Sequence, residues 1–200
     1  AVFNEHAKGF TKALIDRFAV DADKTRFGIV VFSNNVSYTL RISDCPDKSC
    51  LFSKVDAIAY PSGATKTGLA LNEAIQLFDG SGSRTRAIFV LTDGDSQDDI
   101  AAAANKARDA GITLFAVAIG SAFNASSVTT TAITGGRDDH LFQAKDYASL
   151  DSSLIDRIQR EVCSTIVNTA PTPAGAQVTV ARDQPTPDYV PLDYGAQYQP

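Results

Sequence analysis

Two short segments carry the residue types that bind hard ions. In LTDGDSQDD, Asp93 directly follows the apolar run RAIFVLT (residues 86–92), and Gly94 permits a tight turn. Asp95, Asp98 and Asp99 then add negative charge where a helix begins. In SGATKTGLAL, Thr65 and Thr67 precede a second helical stretch. A carboxylate joined by hydroxyls and waters is the donor set that a Mg²⁺-like ion takes. Loops beyond the carboxyl ends of strands in an open α/β sheet are where such donors converge. Each feature also has a plainer role, because an Asp before Gly at a strand end, or a Thr before a helix, commonly serves as a turn residue or helix cap. The acidic cluster from Asp95 to Asp99 either concentrates cations or simply forms a solvated helix start.

Other chemistries find less support. GATKTG lacks the GK[ST] ending of a phosphate loop. There is no GxSxG elbow, and Cys45, Cys50 and Cys163 have no partnered histidine in a recognisable arrangement. His6 is expected to be solvated on the first helix, and His140, in GRDDHLF, to sit in a loop. Lys and Arg number 18 against 23 Asp and Glu, a formal charge of -5, which is the wrong sign for binding nucleic acid or an anionic membrane. No apolar run is long enough to span a bilayer.

The elements that must position these loops alternate in type. Phe3, Phe10, Leu14 and Phe18 share one helical face. RFGIVVFS (26–33) is a continuous β-rich run, turned by Asn34-Asn35 into VSYTLRI (36–42), whose alternation suits an antiparallel edge strand. Helical stretches carry Leu51, Val55 and Ile58, then Leu71, Ala74, Ile75 and Phe78. RAIFVLT, an Ala-rich helix from 98 to 110, ITLFAVAIG (112–120) and LFQA (141–144) follow, and Leu150, Leu154, Ile158 and Val162 stripe a last helix. The order predicts an α/β fold: a doubly wound, mostly parallel sheet with one antiparallel edge strand and helices on both faces. Six of the eight prolines fall after Asn168, so residues 166–200 read as a Pro/Tyr-rich linker or tail, with AQVTVA (176–181) as a short strand within it.

In this order, FGIVVFSNNVSYTLRI, SGATKTGLALNEAI, RAIFVLTDGDSQDD and ARDAGITLFAVAIG resemble a von Willebrand factor type A domain over about Ala1 to Cys163. The resemblance implies a metal-ion-dependent adhesion site at the carboxyl edge of the sheet. Its ligands come from three loops, and a partner's carboxylate completes the Mg²⁺ coordination. Carried over, Thr65 matches the second-loop threonine, Asp93 the third-loop aspartate, and Gly94 the glycine of the same TDG motif, while Thr67, Gly68 and Ala70 match structural positions. The family's first loop, Asp-x-Ser-x-Ser, and the middle strand before it have no counterpart here. Residues 1–165 are therefore expected to be an N-terminally incomplete domain, with the missing strand upstream or supplied by another segment.

The resemblance also implies that Cys163 bridges a cysteine ahead of the first strand. Cys45 and Cys50, in SDCPDKSC, are placed to close a small ring. With acceptor triplets at Asn35 and Asn124, they favour an oxidising, extracellular setting. The expected function is an extracellular adhesion or matrix module. It binds a protein ligand offering Asp or Glu, collagen-like ligands among them, through a divalent cation such as Mg²⁺, without catalysis, nucleic acid or membrane insertion. A structural or assembly domain with no working metal site is the alternative, and a Mg²⁺-dependent phosphoryl-transfer enzyme using Asp93 ranks last.

Overall fold

The structure, a computed structural model, describes residues 3–78, 84–120 and 127–169. A compact unit spans Ala1–Thr169. The short strand expected at 176–181 and the acceptor at Asn124 lie outside the described residues.

A π-helical turn, Phe3–Ala7, leads into α1 (Lys8–Asp16), followed by β1 (Ile29–Phe32), β2 (Val36–Leu40), α2 (Lys48–Asp56) and α3 (Thr67–Gln76). Next come β3 (Arg86–Thr92), α4 (Ile100–Asp109), β4 (Ile112–Ile119), α5 (Val128–Thr134), β5 (Leu141–Ala144) and α6 (Ser152–Thr169). Strands β3, β4 and β5 form a parallel sheet in that order, with Arg86 opposite Ile112 and Ala116 opposite Leu141. Strands β1 and β2 pair antiparallel, Ile29 opposite Leu40, with an irregularity between Val31 and Phe32.

Alternation along β4 divides the core. Phe115, Val117 and Ile119 point to one face, where they pack with Phe142 of β5, Phe10 and Leu14 of α1, and Leu154 and Ile158 of α6. Leu114 and Ala116 point to the other, against Leu71 of α3, Ala103 and Ala107 of α4, and Ile133 of α5. A strand covered on both faces must be apolar throughout, which is why ITLFAVAI reads as one unbroken run. A third cluster joins Ile15, Leu40, Leu51 and Val55 around Cys45.

The α/β class is as the sequence predicts, but the sheet is divided. Among the described residues no strand bridges β1 to β3. A cavity of about 700 Å³ is lined by residues of both, including Val30, Phe32, Ile88 and Phe89. The apolar run of β1 is therefore only half-buried, where continuous burial was expected. Helix α5 was not expected, and α6 continues through Thr169, past the tail boundary placed at residue 166; the first helix-breaking proline downstream is Pro171.

Cys45 and Cys50 form a disulfide, while Cys163 is free and exposed. The bridge closes a ring of sequence separation 5, for which loop entropy gives a stabilisation of about 2 kcal/mol. Reduction, or the Cys45→Ser/Cys50→Ser pair, is expected to lower denaturant stability by about that amount. An unchanged midpoint would show that the ring contributes nothing.

His140, expected in a loop, is buried. It ends a 3-10 turn at the start of β5, is 6% exposed, and its ring lies 4.6 Å from that of Phe115. Its Nε2 is buried without a partner. Burial is the main cause holding the imidazole below its ordinary pKa of 6.5, aided by Arg137 and opposed by Asp139, the Leu114 backbone and Glu161. The folded chain thus binds this proton less readily than the unfolded chain. The stability His140 contributes above pH 6.5 is lost as pH falls through the folded value. Melting temperature is expected to drop on the acid side of neutrality, and to drop less in His140→Phe; parallel curves for the two proteins would refute this.

Candidate metal centre

Asp93 follows the last residue of β3 and is exposed, and the turn after it is closed by the Thr92 hydroxyl, which donates to the Gly94 carbonyl at 3.0 Å. Thr65 reaches the same place from the loop before α3. A Cβ built on Gly94 would sit 3.3 Å from Thr65 Oγ1, so only a residue without a side chain lets the hydroxyl approach this turn unhindered. The Gln97 N–H donates to the Thr65 carbonyl at 2.8 Å, fixing one loop to the other. Thr65 and Asp93 both line a cavity of about 200 Å³ that also meets Lys8, Tyr60 and Tyr147.

Thr67 does not join them. It is fully buried, its Oγ1 has no partner, and it lines the larger cavity between the sheets. Gly68 has a packing role: a Cβ there would lie 2.8 Å from the Asp99 carbonyl oxygen, a contact that backbone cannot yield to cheaply. Ala70 is buried in the same helix.

The acidic cluster is committed to structure. No side chain of the preceding residue, Lys66, caps α3. Instead Asp98 accepts from the Gly68 and Leu69 N–H groups at 2.9 and 2.8 Å, and Ser96 Oγ accepts from the Thr67 N–H at 3.1 Å. The Ser96 hydroxyl in turn donates to Asp98 at 2.6 Å. Burial raises the Asp98 pKa, but the Ser96 hydroxyl and the two amides outweigh it and hold the carboxyl below its ordinary range. Asp99 caps α4 through the Ala102 N–H, and Asp95 accepts from the Ser127 hydroxyl. Of the two readings of this cluster, the helix-capping one describes what Asp98 and Asp99 do.

One participant gave no sequence signal. The Tyr147 hydroxyl donates to Asp93 Oδ2 at 2.8 Å from a segment 54 residues away. Burial, then Asp93, pushes the phenol pKa above its ordinary range, so it remains a donor.

One carboxylate and one hydroxyl facing a small cavity are hard oxygen donors of the kind Mg²⁺ or Mn²⁺ accepts, with water filling most positions. Among the described residues no group of three or more His, Cys, Asp or Glu is placed to hold a metal.

A family model described as von Willebrand factor type A domain matches residues 2–157. The mouse collagen alpha-4(VI) chain is 32% identical over 165 residues, covering 80% of this chain and 7% of that one. Human matrilin-4 is 29% identical over 167 residues, covering 80% of this chain and 26% of the relative. The chain thus spans only a minor part of these relatives. Among solved structures, proximal thread matrix protein 1 of the mussel byssus, with a zinc-occupied MIDAS motif, superposes with a TM-score of 0.71 at 22% identity, covering 80% of this chain and 40% of that one. A manganese-loaded Plasmodium vivax TRAP protein gives 0.61 at 20% identity, covering 80% and 66%.

Proposed function

We propose, from the premise that this chain belongs to the von Willebrand factor type A domain family, that it is a non-enzymatic adhesion or matrix module that captures a protein ligand through a divalent cation. The observation that carries this reading is the convergence of Thr65 and Asp93 on one cavity at the carboxyl edge, with Thr65 Oγ1 seated against the site where Gly94 lacks a Cβ. Relatives named collagens and matrilins support the matrix setting, and the Cys45–Cys50 disulfide suits an oxidising, extracellular compartment.

Asp93 supplies the negative charge and Thr65 an uncharged oxygen. A divalent cation, when bound, supplies an electrophilic position for an incoming carboxylate. Because these two residues bring only one formal charge, they do not neutralise such an ion, and this favours a ligand bearing Asp or Glu. Collagen-like proteins are the ligand class that the relatives' setting favours. A zinc-occupied MIDAS motif in one fold neighbour and manganese loading of another are consistent with a site selective for charge and geometry more than for one metal, and Mg²⁺ is the cation we assign on donor hardness.

The deciding experiment is binding of the chain to immobilised matrix proteins with Mg²⁺, then with a chelator, then with Mg²⁺ restored. The expected result is binding that disappears with the chelator and returns with the ion. Binding indifferent to the chelator would favour an assembly domain that uses other faces.

A further inference from the structure

We propose that Tyr147 is a positioning residue for this site, fixing which oxygen of Asp93 faces the cavity. The inference rests on the reading of Asp93 as a cation ligand. Asp93 is exposed at a strand end, where a carboxylate left to itself turns freely about its last torsion. Here its Oδ2 accepts the Tyr147 hydroxyl at 2.8 Å. That bond engages Oδ2 and leaves Oδ1 as the oxygen to be offered.

The donor is itself held. Tyr147 opens the 3-10 turn Tyr147–Ser149, which Asp146 caps by accepting the Ser149 N–H at 2.9 Å and the Ser149 hydroxyl at 2.7 Å. Two residues beyond that turn, Asp151 accepts the Leu154 N–H at 3.0 Å and starts α6. The tyrosine ring packs, half-buried, on the cluster that contains Phe10, Leu14 and Leu154. A phenol anchored by its ring and by a capped turn presents its hydroxyl in one direction. That lowers the entropy to be lost when Asp93 takes up an ion, and it confines Asp93 to contributing one oxygen. Partners of this kind, one bond removed from a metal, typically change affinity about 10–100-fold when deleted.

The sequence contains no tryptophan, so near-ultraviolet absorbance reports tyrosine. The test is calorimetric titration of the full chain and its Tyr147→Phe variant with Mn²⁺, alongside tyrosine difference spectra. Tyr147→Phe is expected to bind Mn²⁺ about tenfold or more weakly while melting near the wild type. The wild-type tyrosine difference signal should vanish in Tyr147→Phe and persist in Tyr60→Phe. Equal affinity in Tyr147→Phe, or an undiminished signal there, overturns the role of Tyr147 and leaves the cation reading intact. A wild-type chain that takes up no Mn²⁺ overturns the cation reading, and this inference with it. If Tyr147→Phe fails to fold, the wild type still decides, since Mn²⁺ uptake that perturbs no tyrosine overturns the proposal.

Discussion

Replacing Asp93 by alanine is expected to abolish cation-dependent ligand binding while leaving the fold in place. The two halves of this expectation have separate physical causes. Among the described residues Asp93 is the only carboxylate that lines the small cavity shared with Thr65, so its removal takes away the full negative charge they bring there. Outer partners of a metal ligand are worth about 10–100-fold in affinity, and the ligand itself should be worth more than about 100-fold. Its contribution to stability is small by contrast. The side chain is exposed, and among the described residues its partner is the Tyr147 hydroxyl, a bond of about 1–2 kcal/mol. Calorimetry with Mn²⁺ and thermal melting of the variant check both halves. Asp93→Asn sharpens the test, because it keeps an acceptor for Tyr147 and loses the charge. Cation affinity preserved in either variant would sink the metal-bridged mechanism.

Much of this was legible in the chain because buried parallel strands have no polar face to show. RAIFVLT and LFQA coincide with β3 and β5, and ITLFAVAIG runs one residue past β4, which is buried along nearly its whole length, whereas β3, expected to be buried, is largely half-buried. Helix α5 was not legible. Its sequence, VTTTAIT, is β-branched at most positions and reads as anything but a helix. It forms because Ser127 caps its start, and because Thr129, Thr130 and Ile133 are buried against the sheet. Tertiary burial outweighs propensity there.

His140 misled for the opposite reason. Three charged neighbours, Arg137, Asp138 and Asp139, mark the stretch as a loop and give no sign of burial, yet the ring itself is packed on Phe115. At the site, Thr65 and Asp93 were visible as residue types at loop positions. The bond from Tyr147 was not, because it depends on how β5 and α6 return to the end of β3, and no local spacing encodes that return. The aspartates after Gly94 were visible as charge but ambiguous as function, and for Asp98 and Asp99 the amides they accept from settle their role.

That role sets the second large effect. Asp98→Ala is expected to cost about 2–3 kcal/mol and to weaken cation binding as well. The carboxylate caps the first turn of α3 from a different loop, taking the Gly68 and Leu69 amides and the Ser96 hydroxyl together. Alanine would strand the part-buried Gly68 amide and leave the exposed Leu69 amide to water, and Ser96, which also accepts from the Thr67 N–H, would lose what orients it. Helix α3 could not compensate by shifting toward α4, because Gly68 already lies against the Asp99 carbonyl with no room for a methyl group. The same clamp holds Thr65, whose carbonyl accepts from Gln97, the residue between Ser96 and Asp98. Loosening it should spread Thr65 from Asp93, for a loss of about tenfold in Mn²⁺ affinity. Acid should reproduce part of the effect. The folded-state pKa of Asp98 lies below the ordinary 3.8, so the stability it contributes is complete above that value and disappears as pH falls through the folded one. Denaturant melts at neutral pH and at pH 3 check this: wild type should lose stability on acidification, and Asp98→Ala should lose less. If Asp98→Ala matches the wild type at neutral pH, the two loops are held by something other than this carboxylate, and the geometry at Thr65 would need another cause.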